Sequence, residues 1–113
     1  MKKIIAFAFL ALILFVFSGI VSAAGVAITN ETGFDIYEVH FAPGNESRWG
    51  DDVLNMNVIL NDETVTVNWD KGGNNVWNIM VIDEHDRKFY WRNLNLGDGS
   101  RIILKPDGAA ALQ

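Results

Sequence analysis

Residues 34–42 read FDIYEVHFA, and the reading of this stretch decides the fold. Phe34 and Ile36 share one parity, Val39 and Phe41 the other. Side chains along a strand alternate with period two, so a regular strand would bury one pair and expose the other. One extra residue near Tyr37-Glu38 restores the register, and a β-bulge is expected there. The stretch PGNES then ends the strand, with Pro43-Gly44 as turn punctuation.

Outward from this segment the same period recurs. Val26 to Thr29 reads as a short strand closed by NETG, and VIL at 58–60 reads as another. In TVTVNW, Val65, Val67 and Trp69 alternate with Thr64, Thr66 and Asn68, the pattern of a half-buried strand. VWNIMVI is apolar on both sides, as befits a central strand, and DEHD joins it to RKFYWRN in a hairpin. RIIL is the last expected strand, and KPDGAAALQ has little to bury. Beyond the N-terminal region no stretch keeps helical periodicity for more than about two turns. The expected fold class is all-β: a single antiparallel β-sandwich, immunoglobulin-like or C2-like, of about seven strands.

The N-terminus has a different character. MKK precedes fourteen uninterrupted apolar residues, Ile4 to Phe17, and then SGIVSAAG. A short basic region, an apolar run and small residues before a cleavage point are the marks of a secretory signal. Cleavage is expected before Ala24 or before Gly25. A membrane-spanning helix wants about 20 apolar residues, and Ser18-Gly19 interrupts the run, so no stable membrane insertion is expected after cleavage. The domain boundaries read as signal peptide 1–23, β-sandwich 24–105 and flexible tail 106–113, with a periplasmic or secreted location.

Without Lys2 and Lys3 the chain keeps seven Lys and Arg against fourteen Asp and Glu, a net charge of −7. That sign disfavours nucleic acid and anionic membranes as partners. There is no cysteine, so packing alone must hold a domain of about 90 residues. The rings of Trp49, Trp69, Trp77, Trp91, Phe34, Phe41 and Phe89 supply the material.

NETGFDIYEVHFA, then WGDDVL, then VWNIMVID, together resemble a family of small exported bacterial β-sandwich proteins of unknown function. The matching positions are Asn30, Thr32, Gly33 and Ile36, then Trp49, Asp52 and Leu54, then Trp77, Ile79 and Asp83. The resemblance spans nearly the whole chain beyond the signal and implies an exported sandwich without implying a chemistry. The name argininosuccinate lyase is sometimes attached to such sequences; a chain this short and strand-rich is nothing like that large helical enzyme, and the name is rejected. A cysteine pair common among the relatives is missing, and Asn78 stands where Asp is usual.

Two classes of function compete. The acidic turns offer Asp51 and Asp52, then Asp83, Glu84 and Asp86, as calcium ligands, and calcium takes about six to eight oxygens. Neither turn has the Asp-x-Asp-x-Asp-Gly spacing of a calcium loop, and short acidic turns commonly bond their own backbone. Trp49 with Leu54 reads as a structural corner folded inward over Gly50, started by a helical turn capped by Asn45 or Ser47. Tyr37 and Tyr90 fall opposite the core, and with Trp49 they are the candidate contacts for a protein or glycan partner. Catalysis has poor material: His40 lies mid-strand, His85 in a turn, and neither Ser47 nor Ser100 sits in a nucleophile-elbow sequence. Two histidines without cysteine make a poor zinc site. The expectation is a non-catalytic interaction or envelope module without cofactor, and a calcium or glycan binder is the alternative. The sequons at Asn30 and Asn45 read as chance.

Overall fold

The computed structural model describes residues 25–97 and 101–113. The signal segment 1–23 and Ser100 lie outside the described residues. Among those described, seven strands form: β1 Gly25–Asn30, β2 Ile36–Pro43, β3 Thr64–Asn68, β4 Val76–Asp83, β5 Lys88–Asn95, β6 Arg101–Leu104 and β7 Ala110–Leu112. They pair as a four-stranded sheet in the order β3-β1-β6-β7 and a three-stranded sheet in the order β2-β4-β5. The fold is therefore the expected β-sandwich. One pairing departs from the antiparallel rule, because β1 and β6 run parallel.

The core lies between the sheets and follows from strand parity. Val26 and Ile28 of β1, Val67 of β3, and Ile102 and Leu104 of β6 point inward from one sheet. Val39 and Phe41 of β2, Ile79 and Val81 of β4, and Trp91 of β5 meet them from the other. The bulge expected in β2 is present: Ile36 pairs with Asp83 and Glu38 with Ile82, so Tyr37 is the extra residue. It lets Ile36 and Val39, of opposite parity, both lie fully buried.

A second bulge had no signal in the apolar pattern. Trp77 pairs with Leu94 and Ile79 with Trp91, which leaves one residue too many on β5. Asn93 takes it up with φ of 56°, and its N–H donates to buried Asn78 Oδ1 at 2.7 Å. The Asn78 side-chain oxygen is thus the acceptor that the bulge uses.

Three expectations are corrected. VIL forms no strand; Ile59 makes a single reciprocal bridge with Ile36, both bonds 2.9 Å. The 106–113 segment is a 3-10 turn, Pro106–Gly108, followed by β7, which pairs with β6. Its anchor is the buried Trp91, whose indole N–H donates to Ala109 O at 2.8 Å and Lys105 O at 3.1 Å. Finally, 47–54 contains no helical turn. Leu54 is buried as expected, whereas Trp49 is only half-buried and its ring packs on Tyr90. The segment lies along the free side of β2: Gly50 N–H donates to Phe41 O and Val53 N–H to Val39 O, each at 2.9 Å. Asp52 completes the row, its Oδ1 accepting from the backbone of Val39 and of Leu54 at 3.0 Å each. A Cβ on Gly50 would lie 3.3 Å from Phe41 O, so glycine is what lets the backbone come this close.

Asn30 ties the two sheets' connections together. Its side chain is fully buried, with Nδ2 donating to Phe34 O at 2.8 Å and Ile59 O at 3.0 Å. Its Oδ1 accepts from the backbone and hydroxyl of Thr32, at 3.0 and 2.6 Å. A side chain so engaged is not presented as a glycan acceptor. Asn30→Ala strands both carbonyls and the Thr32 donors, and is expected to lower stability by roughly 2–4 kcal/mol. The check is the urea midpoint at unchanged m-value. Asn30→Asp, which keeps the acceptor and loses the donors, should fall between the two.

Candidate functional site

The outward face of the three-stranded sheet carries the candidate site. Because Val39 and Phe41 point inward, His40 points out, and the register sets His40, Met80 and Tyr90 side by side across β2, β4 and β5. Lys88 and Arg92 flank Tyr90 at two-residue spacing on the same side of β5. Trp49 joins them from the loop, its ring 6.0 Å from that of Tyr90 and tilted by 41°. The loop backbone is bonded to β2 whereas Tyr90 is on β5, two strands or about 9–10 Å away. Met80, between His40 and Tyr90 in the row, is only 8% exposed although it faces outward. Tyr90 remains 39% exposed, and the Arg92 guanidinium lies 4.8 Å from its ring centre. An indole, a phenol and a guanidinium on one face make an amphipathic surface backed by a packed core.

His40 joins the loop to this face. Its Nδ1 is 2.8 Å from Gly50 O, and its Nε2 is 2.8 Å from Glu38 Oε1. Burial alone would lower the pKa of this ring. The Gly50 carbonyl, the bond and charge of Glu38, and the charge of Asp52 outweigh it and raise the value above the ordinary 6.5. The sequence held a signal for this arrangement that its reading left unused: Glu38 and His40 stand two apart in a strand and so share a face. Arg92 was missed too, although it lies two residues from Tyr90.

The other expected site residues are dispersed. Asp52 is occupied by two backbone donors, and Asp51 is exposed beside it. Asp83 is buried in the β4–β5 hairpin, where Oδ1 accepts from the backbone of His85 at 2.8 Å and of Arg87 at 2.9 Å. Its Oδ2 meets the Arg87 guanidinium, 2.8 Å from Nε and 2.7 Å from Nη2. Asp86 is exposed at the hairpin tip with φ of 63°, and Glu84 bonds the backbone of Asp35 at 2.9 Å. Among the described residues no group of three or more His, Cys, Asp or Glu side chains is placed to hold a metal ion. Of the four aspartates expected as calcium ligands, Asp52 and Asp83 accept from backbone donors, as carboxylates in short acidic turns commonly do, and Asp51 and Asp86 are exposed. Tyr37 sits half-buried at the β2 bulge. Trp91 is core.

No family model matches the sequence, and no curated protein matches it. Among solved structures it is similar to a protein from Eubacterium rectale determined by NMR, with a TM-score of 0.52 at 14% identity. The superposition covers 80% of this chain and 84% of that one. At this identity the likeness shows a shared fold.

Asp83 yields a test of the hairpin. Burial would push its carboxyl up, but the backbone and guanidinium of Arg87 and the backbone of His85 hold it below the ordinary carboxylate range. A depressed folded pKa contributes stability above the unfolded value of about 3.9 and loses it as pH falls through the folded value. Asp83→Asn should therefore destabilise by about 1–3 kcal/mol at neutral pH. The gap from the parent should close on acidification below about pH 3.9, as read from urea midpoints at each pH.

Proposed function

We propose that this small β-sandwich is an exported, non-catalytic interaction module that meets its partner through the outward face of the β2-β4-β5 sheet, with Trp49 and Tyr90 as anchors. The observation that carries this reading is the Trp49–Tyr90–Arg92 cluster, partly exposed and seated on a strand row held by the core. Tryptophan, tyrosine and arginine are the residue types that dominate binding energy at protein interfaces. Export is supported by the basic start, apolar run and small residues of 1–25. The non-catalytic reading is supported by the absence of cysteine and by His40, whose two ring nitrogens are both engaged. A glycan partner is the second reading, favoured by the same tilted ring pair, on which a sugar ring can stack.

Two measurements test this. In the native host, N-terminal sequencing of the protein recovered outside the cytoplasm should begin at Ala24 or Gly25; an intact Met1 in the cytoplasmic fraction would refute export. Partners recovered from a periplasmic extract, or on a glycan array, should be lost with Trp49→Ala and with Tyr90→Ala, each weakening binding by roughly tenfold or more. Retention of the same partners by both variants, with melting temperatures near that of the parent, would remove this face as the contact surface.

A further inference from the structure

We propose that His40 is a protonation-controlled latch, which clamps the outer end of the Trp49-bearing loop to β2 when its imidazole is charged. The geometry makes the argument. Gly50 O is a carbonyl oxygen and Glu38 Oε1 a carboxylate oxygen, so each ring nitrogen faces a hydrogen-bond acceptor. Only the imidazolium, with N–H on each nitrogen, satisfies both. A neutral ring keeps one bond and turns a lone pair toward the other acceptor.

The two carboxylates nearest the ring act in the same sense. Glu38 comes from β2 itself and Asp52 from the loop, and both favour the charged ring. From β4 the residue opposite is uncharged Met80, and beyond it β5 presents Tyr90, with the Arg92 guanidinium folded against that phenol. The group titrates from a raised folded value. Its contribution is therefore complete below about pH 6.5 and is lost as pH rises through the folded pKa.

The latch acts at one end of the loop. The bonds from Asp52 to Val39 and from Val53 to Val39 do not depend on His40 and keep the rest seated. At the Trp49–Gly50 segment the Gly50 N–H bond to Phe41 O is one tether, and His40, through the Gly50 carbonyl, is the second. His40 therefore sets how firmly the indole is held on Tyr90. The effect on partner binding rests on the contact face proposed above. The latch itself is read without any partner, so failure of either idea is separately visible.

The test is NMR on the purified protein at about pH 5.5 and about pH 8.5, either side of an ordinary histidine pKa. It follows the His40 ring resonances and the exchange protection of the Gly50 amide, corrected for intrinsic rate. His40 should titrate above about 6.5. Gly50 protection should fall roughly fivefold at the higher pH, the difference between a charge-assisted and a neutral hydrogen bond. Val53 should change less, and Val81 in the core not at all. His40→Gln should make Gly50 protection flat with pH. Glu38→Gln should move the His40 titration downward, and it decides alone if His40→Gln does not fold. Equal Gly50 protection at the two pH values in the parent, or a His40 titration at or below the ordinary value, overturns the proposal.

Discussion

β2 is the edge of the three-stranded sheet, and the side it turns away from β4 carries N–H and C=O groups that no strand satisfies. Much of the chain between β2 and β3 is organised by that requirement. Gly50, Val53 and Ile59 bond to Phe41, Val39 and Ile36 in turn, so the connection runs back along the strand it has just left. Where the backbone cannot supply an acceptor, the Asp52 carboxylate does. The open edge is thereby withdrawn from pairing with other chains, and Leu54 and Ile59 are delivered into the core. The same path puts Trp49 over the outer face. A cover for an exposed edge thus also composes the surface on which the functional reading rests.

The sandwich was legible in the sequence because parity survives in short strands. Val65 and Val67, Trp77, Ile79 and Val81, and the broken parity of residues 34–41 identify strands and even place a bulge near Tyr37-Glu38 without reference to tertiary structure. The features that were not legible depend on partners distant in the chain. Nothing local marks β1 and β6 as parallel neighbours. Ala110–Leu112 has weak strand propensity and becomes a strand only because β6 accepts it and Trp91 anchors the turn before it. VIL has strand composition, yet its neighbours are occupied with covering β2, and only Ile59 pairs.

The candidate site shows the same division. Tyr90 was identifiable as outward-facing from alternation alone. Trp49 was not, since a loop tryptophan beside a buried leucine reads naturally as core, and its position is set by how far the loop travels along β2. Two of the four aspartates that composition offered for calcium are engaged by backbone donors: Asp52 by Val39 and Leu54, Asp83 by His85 and Arg87. A carboxylate in a small domain without disulfides can be more valuable as a fixed acceptor than as a ligand. Sequence alone does not separate the two uses, because both favour Asp in short turns.

The parallel pair has a kinetic consequence. Ile28 and Ile102 are direct partners although 74 positions separate them. The first strand therefore cannot acquire its central neighbour until almost the whole polypeptide is available, and closing so large a span costs chain entropy before any contact repays it. The hairpin β4–β5 and its union with β2 involve nearer segments and can assemble sooner. High contact order of this kind slows folding. A chain emerging in N-to-C order can therefore complete the four-stranded sheet only once its final quarter has appeared.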